Sequence, residues 1–227
     1  MCIGLDTPDT MGGTFAYDLD GFTVRNAPEP VNVSAANLTV GIARVHVDAV
    51  TELQTMQGQL SADDPAANTR LVDLTHTVLS ESPSMSLATR FVFNDQPFSA
   101  DLQIGTDPDQ LPPRASFSFD NPLLLVPMLK VTLNMSVHEQ LAAAMMAPQL
   151  KAQLMAGMPE GTEVDDAQLD QMVQAQVPMM IGGLTAQGYL TKEGDQLEMN
   201  ASFDGQQLLL NGQPIPLAAL LGATAGN

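Results

Sequence analysis

Leu197-Glu-Met-Asn-Ala-Ser-Phe203 decides the architecture. In an extended chain Leu197, Met199, Ala201 and Phe203 fall on one side and Glu198, Asn200 and Ser202 on the other, which makes a strand with one apolar and one wet face. Ahead of it a helix-period run ends at Gly188 and passes into Tyr189-Leu-Thr-Lys-Glu-Gly-Asp-Gln196. Behind it come Asp204-Gly205, Gln206-Gln-Leu-Leu-Leu210, Asn211-Gly212 and Gln213-Pro-Ile-Pro-Leu217. The Asp-Gly and Asn-Gly pairs supply the positive φ angles that tight hairpins require. This ending reads as a helix feeding a three- or four-strand meander, and it contains no reactive group.

The same alternation recurs upstream. From Ser84 to Gly105 it is cleanest: Met85, Leu87, Thr89, Phe91 and Phe93 oppose Ser84, Ser86, Ala88 and Arg90, and Asn94-Asp95-Gln96 turns the chain into Phe98, Ala100, Leu102 and Ile104. That is an antiparallel hairpin with one dry face. Phe15, Tyr17 and Leu19 alternate likewise, and Phe22 and Val24 resume after Asp20-Gly21 as a hairpin or a bulged strand. Leu38, Val40 and Ile42 slip in phase to Val45 and Val47, which predicts a bulge near Ala43 and Arg44. Phe117 and Phe119 are expected to begin a strand, Asn121 to Pro127 to form a short helical turn, and Leu129 to Met135 to be a strand.

Helices are expected between these strands. Asp48 is the expected cap of one with Val50, Leu53, Met56 and Leu60 on its stripe, and Asp64-Pro65 opens the next. Ser136 and Glu139 are spaced as a capping box, and Pro148 should kink or break the helix that follows. Asp165 or Asp166 caps the longest, with Pro178 and Gly182-Gly183 predicting a bend. Strand followed by capped helix at Asn37 and again at Lys130 hints at an internal repeat. Together these elements give an α+β fold, an extended and curved antiparallel sheet with amphipathic helices packed on one face. We expect a single domain over residues 1–217 and a flexible tail over 218–227.

Of 227 residues, 44% are hydrophobic and only 4% aromatic, with no Trp, so the core must be built from Leu, Val, Ala and Met. Nine of the fourteen Met lie between Met128 and Met180, where they serve as gap filler or as a deformable apolar lining. Acidic residues outnumber basic ones 26 to 8 and the net charge is −18. The scattered Arg and Lys make no stripe that could neutralise phosphates, which excludes nucleic acid as a partner and disfavours anionic headgroups. Contact with lipid would be through apolar surface. Cys2 has no intrachain partner, and no apolar run is long enough to span a bilayer.

Reactive constellations are missing from the pattern. His46, His76 and His138 are not set at ligand spacing with Cys or carboxylates, and only His138-Glu139 is an adjacent pair. Asp18-Leu-Asp-Gly and Asp107-Pro-Asp lack the further ligands of a calcium loop and fit turn and cap roles. With neither a Gly-x-Ser-x-Gly elbow nor a Gly-rich phosphate loop, the expectation is no enzyme, no metal and no cofactor.

The ending after Gly188, with its Gly-Tyr-Leu, Gly-Asp hairpin, amphipathic strand and Leu-Asn-Gly-Gln-Pro, resembles the C-terminus of the YdgA-like family of bacterial envelope proteins, a domain of unknown function. More loosely, the strand-then-helix units Asn37 to Leu60 and Lys130 to Met146 resemble it too. The resemblance implies a periplasmic protein held at the inner membrane by an N-terminal helix outside this sequence, and a distant likeness to AsmA-like proteins linked to lipid traffic. It implies no catalytic residue.

Two functional readings follow. In the first, Met-bearing helices close over the sheet and leave a groove for an apolar ligand, most plausibly lipid, with Met145, Met146, Met155, Met172, Met179 and Met180 as the candidate lining; the alternative for these Met is plain core packing. In the second, an exposed sheet edge pairs with a second copy or with another envelope protein.

Overall fold

The computed structural model describes residues 2–24, 31–56, 64–119, 121–157 and 165–216. The expected flexible tail, 218–227, lies outside them. Ten strands form one open sheet: β1 (Cys2–Leu5), β2 (Thr10–Val24), β3 (Val31–His46), β4 (Ser84–Phe93), β5 (Gln96–Thr106), β6 (Leu129–His138), β7 (Thr191–Glu193), β8 (Gln196–Phe203), β9 (Leu208–Leu210) and β10 (Gln213–Ile215). Every pairing is antiparallel, in the order β1-β2-β3-β4-β5-β6-β8-β9-β10, and β7 pairs with β8 alongside that path. The helices are α1 (Val47–Met56), α2 (Pro65–Ser80), α3 (Glu139–Ala156) and α4 (Asp166–Ala186).

Local chemistry sets the turns. Asn94 and Asp95 both take positive φ, at 46° and 67°, and join β4 to β5 in a two-residue hairpin. Asn211 and Gly212 do the same between β9 and β10, at 48° and 77°. The predicted bulge is present: Met11 faces Val45 while Gly13 faces Ile42, which leaves an extra residue on β3 at Ala43 and Arg44, with Arg44 at φ 55°. A second irregularity on β3, between Ser34 and Asn37, puts Ala35 at φ 50° and sets Val33 opposite Phe93.

Four expectations need correcting. α1 is capped not by Asp48 but by His46, whose Nδ1 accepts from the Ala49 N–H at 3.2 Å. Ser136 lies inside β6, so no capping box forms; β6 runs on to His138, whose Nδ1 accepts from the Gln140 N–H at 3.3 Å and caps α3. A strand already paired on both sides gains more by continuing than a helix gains by starting early. Of the kink or break expected at Pro148, the break does not occur, since α3 is helical through Ala156. Phe117 and Phe119 are not in a strand: Phe117 is buried edge-on against His76, and His76 Nε2 lies 3.1 Å from the Pro112 carbonyl. Asp64 and Asp165 cap α2 and α4 as expected, and Pro122–Met128 is the helical turn.

The repeat takes structural form. β3 passes through a His cap into α1, α2 and the β4-β5 pair, and β6 passes through a His cap into α3, α4 and then β7, β8 and β9. Because β3 and β6 run in opposite directions, α1 begins at one end of the sheet and α3 at the other. α3 and α4 cover the apolar face at their end: Leu141, Leu150, Val173, Val177 and Ile181 close over Val137 and Leu197, with Phe91, Phe93 and Phe98 around them. Leu197 has no exposed surface. Burial of each of these side chains stabilises the fold by about 1.5–3 kcal/mol, which is ample to hold a helix pair whose own sequence is apolar over most of its circumference.

Candidate functional site: an apolar sheet face left half open

Paired residues in an antiparallel sheet share a face, so the register reads the face directly. One row runs Phe15, Val40, Leu87, Leu102, Leu133, Ala201 and Leu210 from β2 to β9. Its neighbour runs Tyr17, Leu38, Thr89, Ala100, Met135 and Met199. The opposite face carries Asp18, Asn37, Arg90 and Ser99, and beside them Asp101, Asn134 and Asn200. That wet face satisfies itself: the Asn37 amide donates to Asp18 at 2.6 Å, and Arg90 pairs with Asp101 at 3.2 Å.

The apolar face is covered on one half only. Where α3 and α4 stand, Val137 and Leu197 are buried. Across β2, β3 and β4, where α1 and α2 touch β3, Phe15, Tyr17, Leu38, Ile42, Met85 and Leu87 are all exposed, Tyr17 to 54% and Leu87 to 36%. An exposed apolar area of this kind is unusual on a protein surface and makes this face the candidate site. Under the edge of the helices the same face sinks into a pocket of about 240 Å³, lined by Phe98, Met135, Val137, Ala142, Met145, Met146, Leu184, Leu190 and Leu197. Not one lining residue carries a polar side chain. Met135 belongs both to this pocket and to the Tyr17 row, so the pocket adjoins the row that leads to the open face.

Of the six Met expected to line a groove, the structure brings Met145 and Met146 into the pocket. Met155, Met172, Met179 and Met180 stand on exposed helix surface, Met179 to 76%. The floor is made instead by strand residues, which sequence reasoning took for a dry face hidden under helices. Their alternation was legible; how far the helices reach over them was not.

Polar chemistry is spent elsewhere. His46 and His138 act as helix caps, while His76 is held by Pro112 and Phe117. Among the described residues no cluster of His, Cys, Asp and Glu could hold a metal ion. The hydrogen bond from Arg114 draws the Asp73 carboxyl below its ordinary range, as the bond from Lys130 does for Asp107. Both pairs brace the irregular segment between β5 and β6, and neither reaches the open face. No described helix is long and apolar enough to cross a membrane.

Comparison with known families gives a match over residues 6–218 to a family described as bacterial proteins of unknown function, DUF945. The chain belongs to the DUF945 family. No curated protein matches it. The matched span takes in every strand from β2 to β10 and all four helices, so both the open face and the pocket lie within the DUF945 region.

Proposed function

We propose that this DUF945 domain is a non-enzymatic module that binds the acyl chain of a lipid along its apolar face, with the chain end in the pocket at Met145 and Met146. The observation that carries the reading is the largely apolar surface that runs from the open strands to a pocket with no polar lining. A protein interface of ordinary type would need roughly one hydrogen bond per 100–200 Å². This floor offers almost none, and a hydrocarbon chain needs none. Methionine at the pocket mouth suits a ligand of variable shape, because its thioether side chain adapts without strain.

The finer likeness to YdgA-like envelope proteins, the distant AsmA resemblance, and a periplasmic placement with an inner-membrane anchor belong to this proposal. They agree with an acidic surface and an apolar ligand. The test is native mass spectrometry of the protein purified without detergent, beside a Met145→Glu variant. Met145 is 57% exposed, so the fold tolerates the change. Adduct masses of lipid on the wild type that disappear in Met145→Glu support the reading. A wild type that is empty and takes up no added lipid sinks it.

A further inference from the structure

The row that leads from the pocket across the open face carries two hydroxyls. It passes from Met135 through Ala100, Thr89 and Leu38 to Tyr17. With neighbouring strands ~4.8 Å apart, Thr89 stands about 10 Å and Tyr17 about 19 Å from Met135. Among the described residues neither hydroxyl has a hydrogen-bond partner. Each can donate and accept.

Most of the described cations are engaged elsewhere. Of the seven described, six are held in ion pairs: Arg70 with Glu52, Arg90 with Asp101, Arg114 with Asp73, Lys130 with Asp107, Lys151 with Asp166 and Asp170, and Lys192 with Glu139. Arg44, the seventh, sits at the β3 bulge, and its backbone N–H donates to the Asp6 carboxylate at 2.9 Å. With six of the seven described cations held in ion pairs, an anionic headgroup would find little free positive charge among the described residues and would approach a chain of net charge −18.

Resting on the acyl-chain reading, we propose that the ligand is a lipid with an uncharged, oxygen-bearing head of the acylglycerol class, its ester or hydroxyl groups bonded to Thr89 and Tyr17 and its chain running to the pocket. Chain and head are thus recognised by different residues of one row.

The experiment titrates the whole chain with two probes that share one chain, 1-monooleoylglycerol and 1-oleoyl-lysophosphatidylglycerol, each below its own micelle concentration. At low salt the glycerol head binds about fivefold or more tightly than the anionic one, and added salt narrows the gap by screening the repulsion. Tyr17→Phe and Thr89→Val each weaken monooleoylglycerol by about threefold to tenfold, the range of one lost hydrogen bond. Equal or tighter binding of the anionic probe overturns the head assignment and leaves the chain site standing. Failure of both probes overturns the chain site itself.

Discussion

Leu87 and Leu197 lie on the same face of the same sheet, and truncating each to Ala measures whether that face is open in solution. Leu197 has no exposed surface and sits under α3 and α4, so Leu197→Ala strips packing from the helix pair and enlarges the apolar pocket beneath it. Buried Leu→Ala changes cost about 2–5 kcal/mol, and about 3 is expected here. Leu87 is 36% exposed and unroofed, so water fills the space its side chain leaves. Only the transfer term of its covered part is lost, roughly 1 kcal/mol. The two variants should therefore differ by about 2 kcal/mol. Urea unfolding followed by far-ultraviolet circular dichroism is the assay, since the chain has no Trp to report. It is run on lipid-stripped protein at several concentrations. If Leu87→Ala costs as much as Leu197→Ala at every concentration, the β4 face is covered within the chain, and the lipid reading loses its floor.

Other expectations concern the frame around that face. Gly205 takes φ +91° and its missing Cβ would overlap the Pro127 backbone, whereas Gly212, at φ +77°, has open space around it. Gly212→Ala should cost about 1 kcal/mol, for the backbone conformation alone. Gly205→Ala should cost about 3, because the turn must also part from Pro127; similar values for the two in thermal melts would refute the close approach. Replacing His138 by Ala removes the α3 cap at a cost of about 1 kcal/mol, and His138→Asn restores it; amide hydrogen exchange in the first turn of α3 reads both. The Asp204 carboxylate accepts from the Gln207 and Gln206 N–H groups at 2.8 and 3.0 Å, and these bonds hold its pKa below the ordinary 3.8. A depressed folded value means stability that is present above 3.8 and lost as pH falls toward the lower folded value. Asp204→Asn keeps the cap without the charge, so its acid unfolding should begin at lower pH than that of the wild type.

Much of the fold was written locally. Period-two alternation fixed which residues of β2, β4, β5, β6 and β8 share a face, and the phase slip at Ala43 and Arg44 located a bulge. Proline after Asp64 and the Asn94-Asp95 pair marked a helix start and a hairpin, since those residues impose backbone geometry on themselves. Capping was less legible at the strand-helix junctions. His46 and His138 cap there because the strands run further than the local pattern of Asp48 or Ser136 suggests, and strand length is set by the neighbouring strand. Phe117 followed an alternating pattern yet was claimed by His76, a partner forty-one residues upstream whose position no local signal gives.

The candidate site divides along the same line. By itself the sequence determined that this protein has a one-sided sheet, a surplus of acid and a store of deformable apolar side chains, because each of these depends on residue type and short spacing. Only the tertiary structure decided that α3 and α4 cover half of the apolar face, that Met145 and Met146 meet Met135 while Met179 faces solvent, and that the strands provide the floor. Periodicity gives the direction in which a side chain points, but whether another element arrives to cover it depends on packing between segments far apart in the chain.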